Sequence, residues 1–200
     1  MASSIWSSEI EDIKKYPFEK LVIFFQNHGL LKIFNRPKWR TVLGGSKKYV
    51  EKILLNKNIH AYKNFRVSIQ SINKKKIFLS VNDVVKKYDH VVIATHSDQV
   101  KNVLKSQIFD TNLFDNIKYS RNIVYLHNDE TFMPRIRSAW SSWNYIKEDI
   151  KNSRMTVTYW MNKLQKLKTQ QNIFVSLNPY VPPKKKLTFR KMIYEHPIFD

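Results

Sequence analysis

The feature that most constrains the fold is a change of hydrophobic period near the middle of the chain. Between residues 65 and 81, "FRVSIQSINKKKIFLSV" alternates apolar and polar side chains, which is typical of half-buried β-strands. Val67 and Ile69 belong to the first run, and Ile77, Leu79 and Val81 belong to the second. We therefore predict a β-meander with its turns in "INKKK" and "NDVVKK".

The meander leads into "HVVIAT", a continuous apolar run that is typical of a strand buried on both faces. The following segment, "SDQVKNVLKS", predicts a helix that begins at Ser97 or Asp98. Such a junction of strand and helix is where α/β proteins hold ligands. The chain has only three glycines, however, and none of its segments reads G-x-G-x-x-G, the sequence that binds a dinucleotide.

Helical periodicity dominates the residues before the meander. Residues 8–34 predict mainly helix, with a new helix starting at Pro17 and Gly29 suited to the left-handed position that ends it. Gly44 and Gly45 precede a short amphipathic helix in "SKKYVEKILLNK". This glycine pair also fits an ordinary loop.

Strand patterns return after residue 117. The segments "IKYSRNIVYLHND", "TFMPRIRSAWSSWNYI", "RMTVTYWMN" and "NIFVSLNP" predict an antiparallel region, and "KLQKL" predicts a helix. We therefore predict an α/β protein of the α+β type in three parts. Helices occupy residues 1–38, the β-rich part occupies 39–98, and an antiparallel sheet with helices occupies 99–200.

The net charge of +19 has two interpretations. It predicts a basic module that binds nucleic acid or an anionic membrane, or it reflects a bias toward residues with A/T-rich codons. The lysines are scattered along the sequence, and no cluster joins arginines to aromatic platforms as base recognition favours. We therefore do not expect nucleic acid as a partner, and the basic binding module stays an alternative.

Several classes of protein are excluded by composition. The absence of cysteine excludes disulfides, Cys-ligated zinc and thiolate catalysis, and it is compatible with a reducing compartment. No apolar run reaches the roughly 18 residues of a transmembrane helix, and the first residues lack the layout of a signal peptide. We expect a cytoplasmic protein, or one that lies peripherally at the membrane.

His127 and Asp129 in "YLHNDE" are close enough for an acid–base or metal-binding pair. A polar turn between strands explains the same residues, and a third ligand at metal spacing is not evident, so we predict no metal site. Ser141 and Ser142 lack the G-x-S-x-G context of a serine hydrolase. We assign no catalytic residue.

Aromatic side chains are concentrated in "MPRIRSAWSSWNY". They predict either the lining of a substrate cavity or the face of a strand that packs against helices. Because Trp140 and Trp143 are three residues apart, strand alternation would direct them to opposite faces. The candidate cavity residues are Arg135, Trp140, Trp143, Tyr145 and Trp160.

Seven segments carry a resemblance to a known family: "WRTVLGGSKKYVEKIL", "FRVSIQSI", "YDHVVIATHSDQV", "YLHNDETFMPRIRSAWSSWNY", "TVTYWMNKLQKL", "IFVSLNP" and "YEHPIFD". In this order and spacing they resemble the middle of bacterial FAD-dependent oxidoreductases, the amine-oxidase and phytoene-desaturase-like flavoproteins. The resemblance extends from about Ser3 to Asp200. Family members begin with a Rossmann-type βαβ unit that carries the dinucleotide glycines, and they close with a second flavin-contacting segment. This sequence has neither, so the resemblance implies a central fragment or half of a split protein.

The resemblance also implies roles for individual parts. Residues 39–98 would form a partial, Rossmann-like FAD-binding domain, and residues 1–38 and 99–200 would form the substrate domain. Residues near FAD would be Gly44, Gly45, Val67, Ala94, Thr95 and His96, with the backbone of Val67 at the adenine. From the residues alone, Val67 is better explained as an ordinary core residue of a strand.

The implied reaction is hydride transfer to the flavin from an apolar, lipid-like small molecule. A complementing chain would carry the missing βαβ unit. We expect the chain alone to be inactive and to bind FAD weakly or not at all, because the glycine-rich turn that holds the pyrophosphate is absent.

Overall fold

The computed structural model describes residues 14, 17–38, 40–73, 75–104, 110–146 and 156–198. The chain divides into two compact units. The first contains the residues up to Glu51 and those from Tyr119 onward, and the second is the continuous stretch Lys52–Lys118. Helices and two antiparallel sheets make this an α+β protein, as the sequence predicts. The predicted boundaries at 38/39 and 98/99 stay predictions.

Helix α1 spans Phe18–Asn27 and belongs to the first unit. It begins directly after Pro17, and the chain leaves it through Gly29, whose φ is +62°. Both predictions are confirmed. Gly29 is also closely packed, because a Cβ atom there would lie 2.6 Å from Cδ of Pro37.

Helix α2 spans Lys47–Leu54 in the region where the sequence predicts a short amphipathic helix. The Nζ atoms of Lys47 and Lys48 each lie 3.5 Å from a carboxylate oxygen of Glu51. These i, i+4 and i, i+3 pairs support an exposed helix.

The second unit contains the meander. Strands β1 (Val67–Asn73), β2 (Lys76–Val81) and β3 (Val84–Tyr88) pair in the order β1-β2-β3. The first two strands are confirmed. The prediction that "NDVVKK" forms a turn is wrong beyond Asn82 and Asp83, which both have positive φ as a tight hairpin requires. The residues after them form the exposed edge strand β3, whose lysines are typical of sheet edges.

A short helical segment follows the meander in place of the continuous helix that the sequence predicts. A 3₁₀ turn at Ser97–Gln99 leads into α3, which spans only Val100–Val103. His96 occupies the cap position, and neither Ser97 nor Asp98 caps the turn as expected. The second unit's core is small and consists of Ile69, Leu79, Val100 and Leu104.

The first unit contains the larger sheet. Its strands are β4 (Tyr119–His127), β5 (Trp143–Ile146), β6 (Thr156–Trp160), β7 (Phe174–Leu177) and β8 (Thr188–Pro197), and they lie in the order β5-β6-β7-β4-β8. All four pairings are antiparallel. A single helical turn, α4 (Met161–Leu164), follows β6.

The segment "TFMPRIRSAWSSWNYI" is a strand only in its last part, so that prediction is wrong for residues 131–142. Thr131 and Phe132 belong to the 3₁₀ turn Glu130–Phe132. A second 3₁₀ turn spans Arg137–Ala139. Pro134 lies between the two turns and has no backbone N–H for a sheet ladder. These turns place residues 137–140 beside the sheet instead of within it.

Cross-strand register sorts the central side chains by face. Val124 lies opposite Leu177, and Leu177 lies opposite Val157, so these three buried residues share one face. Phe174 lies opposite both His127 and Trp160 on the other face. The centre of the sheet is therefore buried on both sides.

No helix within the described residues has the length and apolar content that crossing a membrane requires.

Candidate functional site

The segment Val91–Ala94, which we call the open segment, belongs to no strand of either sheet. In the described part of the chain, its backbone N–H and C=O groups make no hydrogen bonds. Val91 and Ile93 pack against the core of the second unit, whereas the side chain of Val92 is 89% exposed. The prediction of a strand buried on both faces is therefore wrong, because no neighbouring strand in the described residues covers it.

Val67 lies on the same core as this open segment. It is the first residue of β1, pairs with Val81, and contacts the cluster that Val91 and Ile93 also contact. Ala94, which ends the open segment, is exposed. The second unit therefore holds both Val67 and the end of the open segment.

Two further predicted cofactor residues continue from Ala94. Thr95 and His96 are exposed, and the Thr95 hydroxyl donates a hydrogen bond to the carbonyl of His96 at 3.1 Å. Gly44 and Gly45, with φ of +81° and +84°, belong to the first unit and form a turn before α2.

The open segment offers groups that can contact an adenine but none that would hold a pyrophosphate. Unpaired peptide groups can donate to and accept from the edge of an adenine, and the small side chain of Ala94 allows close approach. The stretch from His90 to His96 contains no glycine, lysine or arginine that would hold a pyrophosphate. The stretch therefore offers unpaired peptide groups to a ligand but no group that would hold a phosphate.

A second group of candidate residues surrounds Trp140 in the first unit. The indole is 7% exposed and packs against Met133 and Phe174. Its Nε1–H donates to the carbonyl of Pro134 at 2.8 Å, and the ring of Trp160 meets it at right angles with 5.2 Å between centroids. Trp140 and Trp160 are therefore brought together, although they lie on different elements.

Arg137 completes this cluster. Its guanidinium carbon lies 4.4 Å from the centroid of the Trp140 ring, and Nη1 lies 3.9 Å from a carboxylate oxygen of Glu130. Asn172 donates to the same oxygen at 2.6 Å and accepts from Nε1 of Trp160 at 3.1 Å. The result is a connected group of two indoles, one cation and one anion.

Sequence reasoning selected Arg135 and missed Arg137. Both side chains are exposed, and the guanidinium of Arg137 lies over the Trp140 ring. The missed signal is the spacing of three residues between Arg137 and Trp140, which a 3₁₀ turn aligns on one side.

Trp143 and Tyr145 form a separate group. They are two residues apart on β5 and therefore share a face, on which Trp143 contacts Tyr159 with 5.4 Å between ring centroids. Burial raises the pKa of Tyr159 above its usual value. Since Tyr159 precedes Trp160 on β6, this face is opposite to that of Trp160. Trp140 and Trp160 thus lie on one side of the sheet, and Trp143 and Tyr145 lie on the other.

His127 is fully buried and hydrogen-bonded through both ring nitrogens. Its Nδ1 accepts from the backbone N–H of Asp129 at 3.1 Å, and its Nε2 lies 2.8 Å from the hydroxyl oxygen of Ser176. Because Nδ1 accepts, the neutral ring carries its proton on Nε2 and donates it to Ser176. The hydroxyls of Ser176 and Thr158 lie 2.6 Å apart and extend the chain.

Burial lowers the pKa of His127 to about 4, although the charge of Asp129 acts in the opposite direction. A neutral imidazole that donates to Ser176 cannot also withdraw the serine proton, so this pair is not an activated nucleophile. The alternative of an acid–base pair with Asp129 gains no support from this geometry.

Asp129 joins two segments of the first unit. Burial alone would raise its pKa, but hydrogen bonds from the Thr131 hydroxyl and from the backbone N–H groups of Lys184 and Thr131 hold the pKa below its usual value. No group of three or more His, Asp or Glu side chains in the described ranges is arranged to hold a metal ion.

No protein-family model matches the chain, and no curated protein matches it either.

Proposed function

We propose that the chain is part of an FAD-dependent oxidoreductase of the amine-oxidase-like group. In this proposal residues 39–98 contribute a partial, Rossmann-like FAD-binding region, and the other residues contribute the substrate side. The observation that carries the proposal is the open segment Val91–Ala94, which packs on the core of the meander and has unpaired backbone groups. A segment with unpaired backbone groups gains hydrogen bonds and apolar contacts when a neighbouring strand is added.

The adenosine of FAD would lie against Val67 and the residues from Ala94 to His96. FAD supplies the acceptor for a hydride that leaves a carbon atom of the substrate. The sheet of the first unit would bind an apolar, lipid-like small molecule through one of its two aromatic groups and would exclude water from it. The discontinuous first unit, interrupted by the meander unit, supports this division of roles.

A complementing chain with a strand, a glycine-rich turn and a helix would complete the cofactor site. Its strand would cover Val92, and its turn would bind the pyrophosphate. Without it, the adenosine contact alone is too small to offset the cost of ordering a long cofactor, so the lone chain should be inactive. A cytoplasmic location is part of this proposal.

The test compares the chain purified alone with the chain co-expressed with the proteins encoded on either side of its gene. We expect the lone chain to be colourless and a co-purifying complex to show flavin absorption bands. A stoichiometric flavin on the lone chain would contradict the need for a partner. A complex whose absorption shows no flavin would contradict the assignment as a flavoprotein.

A further inference from the structure

Residues 180–194 form a strongly basic edge of the first unit, and we call this segment the basic edge. It comprises the loop after β7 and most of β8, the outermost strand of the five-stranded sheet. It contains five cationic residues and no acidic one. The cationic residues are Lys184, Lys185, Lys186, Arg190 and Lys191.

Exposed apolar side chains lie among these charges. Tyr180 and Val181 in the loop are 62% and 57% exposed, and Phe189, Ile193 and Tyr194 on β8 are also exposed. Lysines alone are common on edge strands, where they prevent pairing with other sheets. That role does not require exposed tyrosine, valine and phenylalanine, and their combination with lysine is typical of surfaces that enter a lipid headgroup layer.

The loop of the basic edge is held in place from the sheet. Asn178, just before it, has a positive φ of 48°, and it exchanges hydrogen bonds with the backbone of Ile123 through its N–H and its Oδ1, both at 2.8 Å. The N–H of Lys184 donates to the buried carboxylate of Asp129 at 3.1 Å.

The end of the loop is fixed in the same way. The carbonyl of Leu187 accepts from the N–H of Asn128 at 2.9 Å, and the Thr188 hydroxyl donates to the carbonyl of Lys184 at 3.0 Å. Because the backbone is already ordered, binding through its side chains does not require the loop to fold first.

We propose that the basic edge docks on the surface of an anionic phospholipid bilayer. The lysines contact lipid phosphates, and Tyr180 and Val181 enter the headgroup layer. We assign an anionic membrane as the partner because its negative charge complements the five cations of the basic edge. The proposal goes beyond the flavoprotein assignment and does not depend on it, because it uses neither FAD nor the meander unit.

The experiment measures sedimentation of the full chain with vesicles of phosphatidylcholine containing 30% phosphatidylglycerol, and with pure phosphatidylcholine vesicles. The test variant is K184Q/K185Q/K186Q. The control variant, K57Q/K63Q/K87Q, removes the same charge from three exposed positions of the second unit. Each lysine near an anionic surface contributes about fivefold in affinity, so the test variant should lose about 100-fold and the control less than about threefold.

A second variant tests the apolar contribution. Y180S/V181S leaves the charge unchanged, and we expect it to weaken binding to the anionic vesicles about tenfold. Circular dichroism checks that each variant is folded.

Three results would overturn the proposal. Equal losses in the two lysine variants would show attraction by net charge alone. Unchanged binding by Y180S/V181S would show that Tyr180 and Val181 do not enter the headgroup layer. The chain could also bind an RNA oligonucleotide more tightly than it binds vesicles. If K184Q/K185Q/K186Q abolished that binding, the basic edge would be assigned to nucleic acid.

Discussion

The Nε2 atom of His127 lies 2.8 Å from the hydroxyl oxygen of Ser176, which is 49 residues further along the chain. Both residues are fully buried in the five-stranded sheet, and the contact joins β4 to β7. Because Nδ1 of the same ring accepts from the backbone N–H of Asp129, this arrangement requires a neutral imidazole with its proton on Nε2. It makes the stability of the first unit depend on pH.

We predict that stability falls as the pH is lowered from about 6.5 toward 4. The folded pKa of His127 is about 4 and lies below the ordinary value of 6.5, so only the unfolded chain gains a proton in this range. The contribution of His127 to the free energy of unfolding is complete above pH 6.5. It is smaller by about 2 kcal/mol at pH 5 and by about 3 kcal/mol at pH 4. The pKa of Asp129 is held below its usual value by hydrogen bonds, so protonation of this carboxylate in the unfolded chain lowers stability in the same direction at the acidic end. Urea unfolding at several pH values measures the slope, and NMR titration of the His127 ring checks its origin. A ring that titrates near pH 6.5 would contradict this assignment.

Replacing Ser176 should be costly because its hydroxyl serves two buried partners. We expect Ser176→Ala to lower the free energy of unfolding by about 1–3 kcal/mol, since His127 and Thr158 would lose their shared contact. Ser71→Ala, at an exposed position on β1, is the matched control and should change it by less than about 0.5 kcal/mol. Equal effects of the two variants in chemical denaturation would show that the buried contact contributes nothing.

Two glycines with positive φ should respond differently to alanine. Gly45→Ala meets no atom within 4 Å, so it should cost only the strain of the left-handed backbone, about 1 kcal/mol. Gly29→Ala adds a clash with Pro37 and should cost at least about 1 kcal/mol more. Thermal unfolding of both variants provides the comparison, and a Gly29 variant as stable as the Gly45 variant would mean that the turn after α1 is loosely packed.

The open segment predicts a contrast between adjacent residues. Val92→Ser should leave the stability of the lone chain within about 0.5 kcal/mol of the original, because this side chain is 89% exposed. Ile93→Ala should cost about 1–2 kcal/mol, because this side chain packs on the core of the second unit. Chemical denaturation measures both changes. If Val92→Ser destabilised the chain more than Ile93→Ala, the segment would present its other face to the core.

The sequence predicts local features of this fold well where an alternating pattern or a single glycine decides the backbone conformation. Alternation at Val67, Ile69 and Leu79 identifies two meander strands, and Gly29 marks the end of α1. Strand β3 could not be predicted because two valines are followed by two lysines from Val84 onward. This order lacks the alternation that indicates a half-buried strand.

Features that depend on distant partners could not be predicted in the same way. The apolar run from Val91 to Ala94 is typical of a buried strand, and its local pattern does not show that no described neighbour covers it. The separation of Trp143 from Trp160 depends on cross-strand register. The burial of His127 depends on Ser176, and no local pattern links these two residues.

The most direct test of the flavoprotein proposal is NMR titration of the isotope-labelled chain with FAD, ADP and FMN. We predict weak binding of FAD and ADP, with dissociation constants of about 1–10 mM. Amide shifts should be largest at Val67 and from Ala94 to His96, and FMN, which has no adenosine, should leave these amides unmoved. If FAD and ADP shift none of these amides at about 10 mM, or if FMN shifts them equally, the chain does not bind adenosine at this edge and the central claim is wrong.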